Sequence, residues 1–222
     1  MNPTHWTISR WDDYAKCPKR YKARYIDKSL PFVPNAAADR GTRIHQIAED
    51  FVLGKRDDLP EISPSWAIQI EELKRIGAKA EEMWEFSEGW HPVEPGYPVW
   101  FRMKMDVHYL NKTALHLIDY KTGKIYPSNI EQIEVYALAA FAKFDEVDTV
   151  HGALWYLDQH EPNEKTYKRS QAEKLARKWD QRAHEMLTAE KFPAKPNKFC
   201  SWCPLFDTCA EGQAAAGKFR RR

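Results

Sequence analysis

From Pro98 onward the sequence settles into a period of two. Val99, Phe101, Met103, Met105, Val107 and Tyr109 alternate with Trp100, Arg102, Lys104, Asp106 and His108. Apolar residues at every second position predict a strand with one buried face. Asn111-Lys112 follows as a hairpin turn, and Ala114–Lys121 as a second strand running into Thr122-Gly123. Such a pair has to be covered, and the flanking sequence supplies the cover. Residues 37–53 predict a helix, with Ile44, Ile47, Ala48, Phe51 and Val52 at helical spacing and Gly54 as its stop. A second helix is predicted from Pro64 to about Phe86, capped by Ser63, with Trp66, Ile70, Leu73, Met83 and Trp84 near one face. Residues 129–143 read as a helix and Val150–Leu157 as a third core strand. A long helix starts at Ser170, where Ser170 and Glu173 fit a capping box, and runs to about Glu190. This order predicts one compact α/β domain with a mixed central sheet flanked by helices.

The chain has 222 residues, with 34 Lys plus Arg against 32 Asp plus Glu, a net +2. Near-neutrality says nothing about partners, so any nucleic-acid site must come from local clustering. No apolar run approaches the roughly 18 residues of a membrane span. MNPTHWTISR lacks the layout of a signal peptide. The expectation is a soluble cytoplasmic protein without a membrane partner. That setting makes disulfides uncommon. Three of the four cysteines, Cys200, Cys203 and Cys209, crowd into C-x2-C-x5-C, and Cys17 lies near the other end. The tight spacing is typical of metal ligands, and four thiolates suit zinc as well as an iron–sulfur cluster.

Few residues carry chemistry. Strand side chains alternate, so Asp119 and Lys121 emerge on one face at a strand end. A carboxylate there can hold a divalent ion, and an ammonium beside it can orient water or neutralise phosphate charge. The plain alternative is a surface ion pair. Asp106 lies on the polar face of the preceding strand, and a hairpin brings it toward Asp119; two converging carboxylates repel unless a cation sits between them. The alternative is a solvent-facing residue. His45 and Glu49 are four apart and share a helix face beside its apolar stripe. They can look toward the sheet, or His45 can be a hydrogen-bonded core residue. Gln132 and Tyr136 repeat the spacing, which alone means helix packing. Residues 7–28 interleave aromatics with Lys19, Arg20, Lys22 and Arg24, a pattern that suits phosphate contacts and base stacking, or a solvated helix face.

Taken in order, Gly41-Thr-Arg-Ile-His45, Asp106, Asp119-Tyr-Lys121, Gln132-x-x-x-Tyr136 and the cysteines resemble the RecB-like branch of the PD-(D/E)XK nuclease superfamily. The series looks most like its iron–sulfur members, the CRISPR-associated RecB-like exonucleases and the AddB nuclease domain. The resemblance runs from Ser9 to Cys209.

It implies a restriction-endonuclease-like core with an iron–sulfur staple joining the terminal segments. The whole chain, 1–222, would be a single nuclease domain, with 1–30 and 192–212 as the cluster subregion and 213–222 as a flexible basic tail containing Lys218, Arg220, Arg221 and Arg222. His45, Asp106, Asp119 and the Tyr120 backbone carbonyl would bind Mg2+ or Mn2+. Asp106, Asp119 and Lys121 would be catalytic, with Glu49 supporting the metal ligands from behind. Gln132 and Tyr136 would line the DNA path. Cys17, Cys200, Cys203 and Cys209 would ligate a [4Fe–4S] cluster of structural role, closing a loop of roughly 180 residues worth about 4–5 kcal/mol on a chain-entropy model. The implied activity is metal-dependent DNA exonuclease action on single-stranded ends, in recombination, repair, CRISPR adaptation or phage DNA metabolism. A helicase or a recombination or adaptation protein is the implied partner, and oligomerisation is left open. The competing reading is a non-catalytic DNA-binding or assembly subunit stapled by zinc or a cluster. One departure stands out: relatives often carry glycine three residues before the first metal aspartate, where this chain has Met103.

Overall fold

The computed structural model describes residues 3–219 apart from Phe32, Pro95, Pro127, Ser128 and His160, and the backbone alone of Phe219. The chain divides into two compact units, 35–178 and a second made of 1–34 with 179–222.

The first unit holds a five-stranded sheet in the order β1-β2-β3-β4-β5. Its strands are β1 (Lys79–Phe86), β2 (Phe101–Asn111), β3 (Ala114–Lys121), β4 (Thr149–Tyr156) and β5 (Pro162–Lys168). All neighbours pair antiparallel except β3 and β4, which are parallel and are joined by the helix α5 (Ile130–Lys143). The parallel pair requires such a crossover, and the sheet is mixed as the sequence predicts. Lys112, with φ of 56°, turns the β2–β3 hairpin.

One face of the sheet is covered by α3 (Ala36–Val52) and α4 (Pro64–Arg75). Ile44, Ala48, Trp66 and Ile70 pack there against Val107, Ile118, Tyr120 and Trp155. α5 covers the opposite face so closely that a Cβ on Gly152 of β4 would lie 2.0 Å from Ile133 Cγ2. Only glycine fits that crossing.

Two predictions for this unit need correction. The helix from Pro64 does not reach Phe86: it ends at Arg75, Gly77 takes a left-handed φ of 69°, and Lys79–Phe86 is β1. After β5, Ser170 and Glu173 do not form the capping box; the Gln171 side chain accepts from the Lys168 N–H at 2.8 Å instead, and α6 (Ala172–Leu187) follows. Met103 is buried opposite Trp84 in the β1–β2 ladder.

The second unit begins with α1 (Ile8–Lys16), capped by the Thr7 hydroxyl, and α2 (Pro18–Tyr21), which widens into a π-helical stretch, Lys22–Ile26. Trp6 stacks on Trp179 with ring centroids 5.8 Å apart, and Tyr21 stacks on Phe192 at 6.2 Å. Two 3-10 turns, Cys200–Trp202 and Phe206–Thr208, lead into α7 (Ala210–Phe219). The segment predicted to be a flexible tail is therefore helical as far as Phe219, while Arg220, Arg221 and Arg222 lie outside the described residues. Among the described residues no helix is long and apolar enough to cross a membrane.

Candidate active site and cysteine cluster

The β2–β3 ladder stops at Val107↔Ile118, one residue short of Asp106 and Asp119. Beyond that pair the strands part. The Tyr120 N–H, freed from the ladder, donates to Asp106 Oδ2 at 2.8 Å. A side chain thus occupies the place of a strand partner, and this anchors the Asp106 carboxylate in the opening between the strands.

Helices converge on that opening. From α3, His45 Nδ1 lies 3.3 Å from Asp106 Oδ2, and its ring meets Tyr120 edge to face. Glu49, one turn further along α3, is buried. His45, Glu49 and Asp106 each place one ligand atom within 4.8 Å of the others. From α5, the Gln132 amide donates to Asp119 Oδ1 and to the Tyr136 hydroxyl, while its carbonyl oxygen accepts from Lys121 Nζ at 2.8 Å. Lys121 Nζ also stands 2.5 Å from Asp119 Oδ2. That oxygen is buried and has no aligned hydrogen bond, so the ammonium touches it without satisfying it.

Charge follows from this geometry. Burial pushes the Asp119 carboxyl above its ordinary pKa, Lys121 pulls it back, and Asp106 raises it again, leaving it raised. For Lys121, burial disfavours the ammonium, yet the Asp119 carboxylate beside it outweighs burial and its pKa is raised. His45 follows the same pattern, with Asp106 overcoming burial. Burial and a hydrogen bond to Glu81 push Glu49 up to about 8. The buried Asp119 carboxylate and the convergence of His45, Glu49 and Asp106 are what a divalent cation would resolve, so the residues fit one.

All the residues the sequence singled out around His45, Asp106, Asp119, Lys121, Gln132 and Tyr136 come together in this unit. Tyr120 contributes its N–H to Asp106, and its ring is fully buried. Two residues were missed. Glu81 of β1 holds a left-handed φ of 61°, uncommon for a residue with a Cβ, and drops out of the β1–β2 register between Ala80↔Val107 and Glu82↔Met105, opposite Asp106. Its carboxylate accepts from Lys104 Nζ at 2.6 Å, and Lys104 Nζ lies 3.8 Å from Glu49. Reading 64–86 as one helix hid Glu81; the alternation of β2 showed Lys104 but not its partner.

In the other unit, the predicted DNA-binding cations are committed elsewhere. Arg20 and Arg24 each donate to Asp13 at 2.9 Å, Lys22 pairs with Asp27 at 2.8 Å, and Lys19 pairs with Glu211 at 3.1 Å. The cysteine-bearing segments are stitched together. The Lys19 N–H donates to the Pro193 carbonyl, the Lys195 N–H points at Cys17 Sγ at 3.5 Å, and the Asn197 N–H at Cys200 Sγ at 3.2 Å. A Cβ on Gly212 would lie 3.3 Å from Cys209 Sγ. These contacts bring the two cysteine-bearing segments of the chain together.

A search of curated proteins finds no match. Among solved structures, the chain is similar to the crystal structure of SSO0001, with a TM-score of 0.54 and 14% identity, covering 95% of this chain and 88% of that one. At that identity the likeness shows the fold. A profile of the PD-(D/E)XK nuclease superfamily matches residues 5–210, both strands that carry the paired aspartates included, and the chain belongs to that superfamily.

Proposed function

We propose that the chain is a metal-dependent DNA exonuclease acting on single-stranded ends. The observation that carries this reading is the opening of the β2–β3 ladder at Asp106 and Asp119, with an ammonium and an imidazole held beside the two carboxylates. His45, Asp106 and Asp119 would hold Mg2+ or Mn2+, with the Tyr120 carbonyl as a further oxygen; the closeness of Glu49 to His45 and Asp106 supports its adding a carboxylate to the set. When bound, the ion would supply an activated water and neutralise charge on the scissile phosphate. Lys121 orients the nucleophile and offsets phosphate charge. Gln132 fixes both Lys121 and Asp119 from α5 and, with Tyr136, borders the path of the strand.

Cys17, Cys200, Cys203 and Cys209 would hold a [4Fe–4S] cluster of structural role. Four thiolates suit zinc as well as a cluster, and colour separates the two: a cluster protein purified without oxygen is brown, a zinc protein colourless. With Arg20, Arg24, Lys19 and Lys22 held by carboxylates, DNA contact by this segment requires exchange of those ion pairs for phosphate. Partners in recombination, repair or adaptation would supply any unwinding.

The test is digestion of end-labelled single-stranded DNA with Mn2+, Mg2+ or EDTA, with anaerobically purified wild type beside Asp119→Ala. Metal-dependent loss of label in the wild type alone is expected. No cleavage by folded wild type with either metal would replace this reading with a DNA-binding assembly subunit.

A further inference from the structure

Tryptophan is the side chain a protein has most reason to cover. Of the nine in this chain, seven are buried, and Trp202 is 78% exposed, the most exposed large hydrophobic among the described residues. Its ring makes no stacking or cation–π contact with another described residue. An isolated surface tryptophan on a slack loop would mean little, but this loop is braced. The Asn197 side chain accepts from the Phe199 N–H at 2.9 Å and donates to the carbonyls of Lys16 and Lys195 at 3.1 Å. Cys200 N–H donates to the Asn197 carbonyl, and Trp202 N–H to that of Phe199. The indole therefore leaves a fixed 3-10 turn.

Its surroundings are basic and aromatic. Between Glu190 and Asp207 there are three lysines and no acid. Lys195 Nζ donates to a carbonyl, that of Ala15, and Lys198 Nζ lies 5.2 Å over the Phe199 ring, so neither charge is cancelled by a carboxylate in these contacts. Phe199 is itself 41% exposed. This is the opposite of Lys19, Arg20, Lys22 and Arg24, each of which has an acidic partner. A rigidly presented flat ring beside uncancelled positive charge matches an unpaired nucleobase on a polyanion. Two rings fall well short of the roughly 800 Å2 per partner of a protein interface.

We propose that Trp202 is a stacking platform for a base of single-stranded DNA, with Lys198 and Lys195 drawing in the adjoining phosphates. The proposal rests on the reading of DNA as substrate and adds a contact to it.

The test is fluorescence anisotropy of a labelled single-stranded oligonucleotide in EDTA, where nothing is cut. Wild type, Trp202→Ala and Trp202→Phe, matched by thermal melting, are compared on DNA with bases and on the same backbone carrying abasic sites throughout. Stacking predicts roughly tenfold weaker binding for Trp202→Ala on base-bearing DNA, with most of the loss recovered by Trp202→Phe. On abasic DNA, wild type should fall to the level of Trp202→Ala, and the substitution should cost nothing more. Unchanged affinity in Trp202→Ala, or an equal loss on both DNAs, overturns the stacking contact while wild-type binding leaves the nuclease reading standing. Absence of single-strand binding by wild type overturns both.

Discussion

Asp13 and Asp119 are both buried carboxylates with cations in contact, and they are built to opposite ends. Asp13 is saturated: Arg20 donates to one oxygen, and Arg24 and the Tyr25 hydroxyl donate to the other. Asp119 receives the Gln132 amide on one oxygen, while the other meets only a misaligned ammonium. A satisfied buried acid repays its desolvation and ties local structure together. One with fewer aligned donors recovers less of that cost, and such groups cluster at functional sites. Burial percentages alone do not separate the two; the count of aligned donors does.

The comparison breaks most visibly under substitution. Asp119→Asn should lower cleavage on the order of 10^3-fold or more, because it removes a charge from the reacting centre, and it should cost less stability than Asp13→Asn. Asp13→Asn should leave cleavage per folded molecule unchanged and lower unfolding stability by about 1–3 kcal/mol, since Arg20 and Arg24 are partly exposed and keep some hydration. Labelled-DNA digestion and denaturant unfolding on both variants check this; reversed outcomes would erase the distinction. Next in size, Gln132→Ala should reduce cleavage by about 10- to 100-fold, as loss of a residue that orients ligands does. Its effect on Mn2+ affinity, read by calorimetry, should be smaller.

A third buried polar group sharpens the contrast through pH. His108 is buried against Trp84 and Phe144 beside Glu82, and burial lowers its pKa to about 4. A folded pKa below the unfolded 6.5 means that its contribution is fully present above pH 6.5. That contribution is lost as pH falls from there toward 4. His108→Phe should flatten this part of the acid limb in denaturant melts run across that range. The smallest effect belongs to Glu81→Gly. Relief of a left-handed backbone is worth about 1 kcal/mol, and loss of the partly exposed Lys104 pair takes back a similar amount. Unfolding stability should therefore stay within about 1 kcal/mol of wild type.

The alternation from Phe101 to Val107 was legible because each odd residue enters the core, and β3 begins and ends at Ala114 and Lys121 as predicted. β5 was not legible. It is a polar edge strand in which only Tyr167 is buried, so it leaves no apolar rhythm. β1 was misread because Met83 and Trp84 also fit a helical face, and one glycine conformation at Gly77 decides between the two. At the site, strand and helix periods paired Asp119 with Lys121 and His45 with Glu49, while Gln132 and Tyr136 entered only through the family resemblance, since their spacing alone reads as helix packing. Ion pairs that cross the chain were invisible: Lys19 meets Glu211 192 residues away, and nothing in either segment announces it.

The early end of the β2–β3 ladder also makes the site its own gauge. The amide of Tyr120 is protected by the Asp106 side chain and not by a strand neighbour. Any event that pulls that carboxylate away, by protonation, by substitution or by fraying of the strand tips, releases one amide proton to exchange while the rest of β3 stays locked. A single residue in a hydrogen-exchange profile can therefore register the integrity of the centre independently of turnover.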